Sequence, residues 1–252
     1  MKMTGNTIFI TGGGSGIGRG IAEAFHNLGN QVIISGRRKA NLDETIKANP
    51  GMAAYEMDIT DLESINSVAA QIIVDYPNLN VLFNNAGIMP FDDAANAIDE
   101  KTMQDIVTTN FLGPIRMTSA LIEHLKAQPS AVILNNTSVL AWVPLAYNGV
   151  YSATKAALHS FTMSQRFALR DTSVKVQSIA PPWVDTDLVK KSGDPRAMPL
   201  DAFIKETIEK LATDDEDIFV DAIKVFRENP GPNEHTLFFQ FNEAMVAEPI
   251  PV

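Results

Sequence analysis

The chain has 252 residues, 45% of them apolar and 20% charged, with a formal net charge of −10. That length and balance suit one globular α/β domain around one core, and no low-complexity tract predicts disorder. The acidic excess opposes attraction to nucleic-acid phosphates or anionic lipid, and zero cysteines exclude disulfides, thiolate catalysis and thiolate metal sites.

No apolar run approaches the ~20 residues of a membrane span, and Met1–Gly5 leads straight into a strand without an apolar signal core. A cytoplasmic protein with neither membrane nor nucleic acid as partner is the expectation. His26, His124, His159 and His235 are scattered without HExxH spacing, so no metal site is expected.

Short β-branched runs alternate with longer amphipathic ones, the pattern of βαβ units and a parallel sheet. The strands predicted in chain order are Thr7–Thr11, Gln31–Ser35, Met52–Met57, Val81–Asn84, Ala131–Asn136, Lys175–Ala180 and Thr236–Gln240. Helices fill the gaps: Gly16–Leu28 ended by Gly29, Asp61–Tyr76 capped by Asp61 and stopped by Pro77, and a long one over Tyr151–Leu169. Right-handed crossovers fold such units into a doubly wound, three-layer sandwich of about seven strands with helices on both faces. From Asp185 the pattern loosens around four prolines and the acidic run Asp214–Asp217, so residues 185–235 read as a substrate-side cap and 236–252 as a C-terminal strand and tail of the same domain.

The first strand runs into Thr11-Gly12-Gly13-Gly14-Ser15-Gly16-Ile17-Gly18 and then a helix, which aims backbone N–H groups and a helix N-terminus at one spot. A pyrophosphate fits that spot. Arg19 stands where strict GxGxxG needs its third glycine, and Arg19-Gly20 after Gly18 excludes a Walker loop. After the second strand, the place of the acid that would bind an NAD ribose holds Gly36, followed by Arg37 and Arg38. Two guanidiniums able to fork onto a phosphate favour NADP(H) over NAD(H).

Thirteen residues separate Ser138 from Tyr151, and Lys155 follows one helical turn later. Positions i and i+4 share a helix face, so phenol and ammonium can point into one cleft. Ser138 ends the fifth strand at the carboxyl edge of the sheet, where open α/β folds bind ligands, and its neighbour Thr137 must face the other way. A free tyrosine titrates near 10, and bringing it toward neutrality asks for about 4 kcal/mol, roughly what one cation ~4 Å away supplies. Lys155, alone or with the positive nicotinamide ring, is expected to lower the phenol in this way. The competing SxxK reading of Ser152-x2-Lys155 fails, because neither SDN nor KTG is present.

Thr11-Gly12-x3-Gly16-x-Gly18, Asp58-Ile59, Asn84-Asn85-Ala86-Gly87, Asn110 and Tyr151-x3-Lys155 occur in the order of the short-chain dehydrogenase/reductase family, which residues 5 to 190 resemble. The resemblance implies a Rossmann-type sheet and hydride transfer between a nicotinamide cofactor and a carbonyl or alcohol. It implies Ser138, Tyr151, Lys155 and Asn110 as the catalytic quartet, with Asn110 holding a water in a proton path to Lys155. Cofactor contacts are implied for Gly12, Ser15, Gly16, Ile17, Gly18, Arg37, Arg38, Asp58, Ile59, Asn85, Ala86, Gly87, Tyr151, Lys155, Pro181, Val184 and Thr186. Asp58 and Ile59 would meet the adenine, and Ser15 stands where many NADP-preferring relatives carry a second base. Pro181-Pro182-Trp183-Val184-Asp185-Thr186 departs from the family's PGxVxT by a proline that stiffens the loop. With Asn229-Pro230-Gly231-Pro232-Asn233-Glu234-His235 it is similar to a small bacterial subgroup typified by DltE.

Met89, Leu140, Trp142, Tyr147, Trp183 and Leu188 lie beside these motifs and are expected to line an apolar substrate pocket for a ketone or secondary alcohol. A homodimer or homotetramer is expected through long helices and the C-terminal strand, since Leu237-Phe238-Phe239 in an edge strand would need covering. The alternative to catalysis is a non-catalytic dinucleotide-binding regulator on the same fold, and the intact quartet speaks against it.

Overall fold

A computed structural model describes residues 1–189, 191, 193–228, 231 and 233–248. Seven parallel strands form one sheet: β1 Thr7–Thr11, β2 Gln31–Gly36, β3 Ala53–Glu56, β4 Leu79–Asn84, β5 Ala131–Asn136, β6 Val174–Ile179 and β7 Asp217–Ile218, in the order β3-β2-β1-β4-β5-β6-β7. The helices are α1 Gly16–Asn27, α2 Lys39–Ala48, α3 Leu62–Asp75, α4 Glu100–Val107, α5 Gly113–Ala127, α6 Gly149–Ala168, α7 Leu200–Leu211, α8 Lys224–Glu228 and α9 Glu234–Ala247. They cover both faces of the sheet, which makes this a three-layer α/β fold.

Strand alternation builds the two hydrophobic layers. Ile8, Ile10, Val32, Ile34, Val81 and Phe83 turn to the face covered by α1 and α7, where Ile21, Phe25 and Phe203 bury. Phe9, Ile33, Leu82 and Ile133 turn to the opposite face, under Ile65 and Ile72 of α3 and Met117 and Leu121 of α5. Near-continuous apolar strands are what a sheet buried on both faces requires. The face under α5 and α6 turns polar at its carboxyl end: Asn84 Nδ2 donates to Thr118 Oγ1 and Asn135 Oδ1, and Asn135 Nδ2 to Thr162 Oγ1. Paired amides there fix the register of helix on sheet at little net cost.

The strand order reverses between β1 and β4, so their carboxyl ends open a crevice at the switch point. Both edges carry the expected motifs.

One element departs from the sequence reading. The stretch Thr236–Gln240 is helical, within α9, and the seventh strand is Asp217–Ile218, paired as Ser178↔Asp217 and Ile179↔Ile218. Phe238, Phe241, Asn242 and Met245 sit at helical spacing on the buried side of α9, while Phe239 and Val246 are exposed. A two-residue period would have put Phe238 and Gln240 on one face, and the 3.6-residue period wins because it buries the apolar set together. Assembly through an edge strand at 236–240 loses its basis. Asp217 is tolerated in a strand because Arg166 donates to its carboxylate at 2.9 Å and Ser178 at 2.7 Å. Among the described residues no helix is long and apolar enough to cross a membrane, and no His/Asp/Glu group could hold a metal ion.

Candidate active site

The glycine loop is packed until only hydrogen fits. A Cβ on Gly18 would stand 2.3 Å from Asn85 Nδ2 and 2.4 Å from the Gly12 carbonyl oxygen, and one on Gly12 2.9 Å from Ala86 Cα. Gly12 and Gly16 also hold φ of +69° and +51°, the left-handed region where a side chain is strained. Asn85 locks the loop to β4: its Nδ2 donates to Thr11 O at 2.9 Å and Gly12 O at 3.3 Å, while Thr11 Oγ1 accepts from the N–H groups of Asn85 and Ala86.

These constraints shape a cleft of ≈ 920 Å³ over the carboxyl ends of the strands. Gly12, Ser15, Gly16, Ile17, Gly18, Arg37, Arg38, Ile59, Asn85, Ala86, Gly87, Pro181, Val184 and Thr186 line it. Ser15 is the N-cap of α1 but makes no side-chain cap bond, and its hydroxyl instead accepts from Arg38 Nη2 at 3.0 Å. The first turn of α1 thus presents N–H groups to the cleft beside two guanidiniums. That donor set fits a dinucleotide pyrophosphate with a phosphate on its adenine ribose.

Asp58 lies between Met57 and Ile59, both of which line the cleft. Its Oδ1 accepts from Thr60 N at 2.9 Å and Thr60 Oγ1 at 2.7 Å, and its N–H donates to Ser64 Oγ, so the side chain closes its own turn.

Ser138, Tyr151 and Lys155 line the same cleft and are all buried. Extended backbone at Ser138, at φ −169°, carries β5 out to the edge, where its side chain lies near enough to the Tyr151 phenol to favour the ionised form. Ser138 Oγ also accepts from Leu140 N at 3.1 Å. Thr137 faces away and donates to Ile179 O at 2.8 Å. Lys155 Nζ donates to Asn136 O at 2.7 Å and lies 5.5 Å from the Tyr151 ring centroid.

Burial decides the proton affinities of this pair. Tyr151 is pushed up to about 12 by desolvation, opposed by the Ser138 hydrogen bond, and Lys155 is pushed down to about 8 by desolvation. The phenol is thus set by burial, and Lys155 is not among the groups that shift it. The ammonium is turned to the Asn136 carbonyl.

Asn110 lies in a π turn, Thr108–Leu112, between α4 and α5. Its Oδ1 accepts from Ile88 N at 2.9 Å and its Nδ2 donates to Ile88 O at 2.8 Å. A Cβ on Gly87 would meet Asn110 Oδ1 at 3.3 Å and Lys155 Nζ at 3.9 Å, so the amide sits behind Gly87, one layer from Lys155. Asn110 is outside the cleft wall, which Thr109 contributes instead.

Of the proposed substrate residues, Met89, Leu140, Trp183 and Leu188 line the cleft. Trp142 and Tyr147 do not. The Trp142 ring packs on His159 at 4.4 Å and edge-on to Phe219 at 4.8 Å, and Tyr147 packs into the adjoining core. Sequence reasoning missed Leu145, Met198, Ile223, Phe226, Phe241 and Met245, which complete the apolar end. Reading α9 as a strand hid Phe241 and Met245, whose i, i+4 spacing was the available signal. The segment 229–235 lies partly outside the described residues.

The sequence profile described as short chain dehydrogenase matches residues 6–197. Over 248 residues the chain is 39% identical to the uncharacterized oxidoreductase DltE of Bacillus subtilis, covering 96% of this chain and 98% of that one. It is 34% identical over 187 residues to the NADPH-dependent 1-acyldihydroxyacetone phosphate reductase of Schizosaccharomyces pombe, covering 73% and 62%. The crystal structure of a short chain dehydrogenase from Burkholderia cenocepacia J2315 in complex with NADP matches with a TM-score of 0.85 at 24% identity, covering 95% and 98%. With the glycine loop, the Asn85 lock and the Ser138, Tyr151 and Lys155 cluster on one seven-stranded sheet, the chain belongs to the short chain dehydrogenase family of oxidoreductases.

Proposed function

We propose that the protein is an NADP(H)-dependent oxidoreductase that transfers a hydride between the nicotinamide and an apolar ketone or the corresponding secondary alcohol. The observation that carries this reading is the gathering of Ser138, Tyr151 and Lys155, all buried, in the cleft that the glycine loop also lines. The cofactor supplies or accepts the hydride. The chain's own residues handle the oxygen and its proton.

A carbonyl oxygen placed between the two hydroxyls would accept from both. Ser138 polarises it, and Tyr151, protonated throughout the neutral range because its phenol titrates near 12, gives it the proton. Lys155 holds the nicotinamide ribose and, as the next ionisable group behind the phenol, helps return the proton. Gly12–Gly18 and the first turn of α1 hold the pyrophosphate, and Arg37, Arg38 and Ser15 the 2′-phosphate. The Schizosaccharomyces pombe relative is NADPH-dependent and the Burkholderia cenocepacia structure holds NADP, which supports the same choice here. Met89, Leu140, Leu145, Met198, Phe226, Phe241 and Met245 around the far end of the cleft support an apolar substrate.

A panel of ketones graded from acetone to long-chain and aryl ketones, read by loss of NADPH absorbance, tests the function. Turnover should rise with apolar size, and a protein that binds NADPH yet reduces none of the panel would leave the regulator as the better reading. The cofactor choice is tested at Arg37. Arg37→Ala should weaken NADPH about ten- to a hundredfold and leave NADH nearly unchanged, as read by fluorescence titration. Equal losses for both would remove the 2′-phosphate from Arg37.

A further inference from the structure

The helix that carries Tyr151 and Lys155 begins without a cap of its own. Asn148 occupies the N-cap of α6 but makes no side-chain cap bond, and its Nδ2 donates outward to Pro90 O at 2.9 Å. The N–H groups of the first turn are instead taken by Asp92, from the segment between β4 and α4. Asp92 Oδ1 accepts from Gly149 N at 2.8 Å and Oδ2 from Val150 N at 2.9 Å, while its own N–H donates to Tyr147 O at 2.9 Å. The carboxylate is buried, with only 8% of the residue exposed. It fits against residue 149 because that is glycine, where even a Cβ would stand 3.2 Å from Oδ1.

We propose that Asp92 is a positioning residue that sets the first turn of α6, and with it the Tyr151 hydroxyl, against Ser138. Tyr151 is the third residue of the helix, directly after the two whose N–H groups Asp92 holds. Lys155 lies one turn deeper, in backbone already hydrogen-bonded within the helix. Two short charge-assisted bonds to a helix N-terminus hold a first turn that would otherwise fray. The far end of the same segment is pinned where Asn110 takes both the N–H and the carbonyl of Ile88. Asn110 and Asp92 therefore clamp residues 88–92 between the cleft and the start of the catalytic helix.

This assignment rests on Tyr151 as the proton donor for its consequence in turnover, but position can be read without turnover. The chain has only four tyrosines, so tyrosine labelled with carbon-13 at Cζ gives a resolvable spectrum, and Tyr151→Phe assigns its signal. The control is Asp61→Ala, which removes an ordinary cap, the bond from Glu63 N to Asp61 Oδ1 at 3.0 Å at the start of α3.

In Asp92→Ala the Tyr151 signal should move toward that of a solvated tyrosine, while NADPH affinity stays within about twofold. On the ketone the parent reduces fastest, kcat should fall roughly ten- to a hundredfold with KM for NADPH unchanged, because small misplacements of a reacting group carry losses of that order. Asp61→Ala should lower Tm and leave both the signal and kcat alone. Asp92→Asn keeps one acceptor, should shift the signal part of the way, and stands in if Asp92→Ala does not fold. An unmoved Tyr151 signal in a folded Asp92 variant overturns the assignment, as does a tenfold loss of NADPH affinity in step with kcat. An inactive parent would defeat the proposed function while leaving the spectral comparison intact.

Discussion

Tyr151→Phe is expected to lower turnover by 10²–10⁴-fold, about 3–5 kcal/mol of barrier, while the protein stays folded and keeps its NADPH affinity. The ring is packed in the apolar cluster with Leu140 and Leu145, and a phenylalanine keeps that packing. What disappears is one hydroxyl, worth about 1 kcal/mol of stability, or roughly 2–4 °C in Tm for a chain of this size. The phosphate contacts proposed for Arg37, Arg38 and the glycine loop lie at the other end of the cleft. Single-turnover rates, thermal melts and NADPH titrations on parent and variant separate these effects. More than about a tenth of parental activity in the variant, on any substrate the parent turns over, would mean that another group protonates the oxygen.

How much of this was legible in the sequence depends on whether one local signal or several distant ones decided the outcome. Strands β1, β2, β4, β5 and β6 lie within two residues of their expected bounds, because doubly buried strands write themselves as apolar runs. Asp61 caps α3 as expected, since an N-cap depends on neighbours in sequence. The convergence of Ser138, Tyr151 and Lys155 follows from a strand end and an i, i+4 pair. The misses depend on distant partners. Asp217–Ile218 becomes a strand because Arg166 and Ser178 answer the acid from elsewhere in the chain. Leu237-Phe238-Phe239 looks like a strand until Phe241, Asn242 and Met245 are counted with it. Trp142 was drawn into the pocket by its nearness to Ser138, and only the fold reveals His159 and Phe219 as its neighbours. The proton affinities were the least legible, because burial is a property of the whole packing that no spacing reveals.

Burial of the Lys155 ammonium carries the other large expected effect, a trade of stability against activity. The buried ammonium titrates near 8 rather than at its ordinary 10.5. Below pH 8 both folded and unfolded chains carry the charge, and the folded state bears the full cost of burying it. Between 8 and 10.5 the folded protein has released the proton while the unfolded chain still holds it. The unfolded state then binds more protons, so the parent's stability rises with pH through this window, and above it the cost is gone. The span corresponds to roughly 3 kcal/mol. Lys155→Met removes the charge and also the charge-assisted bond to Asn136 O, worth about 1.5–3 kcal/mol, which leaves a net gain of about 1 kcal/mol at pH 7. Without cofactor the variant should therefore melt roughly 2–4 °C above the parent at pH 7, with the advantage fading as the pH approaches 10.5. Turnover should fall at least a hundredfold, and NADPH should stabilise the variant less than the parent, since a ligand at 100 times its Kd adds about 2.7 kcal/mol and the variant's Kd is the weaker. The two melting curves should thus draw together or cross as NADPH is added. A Lys155→Met protein no more stable than the parent at pH 7, or equally stabilised by NADPH, would show that the ammonium is neither costly to bury nor a holder of the cofactor.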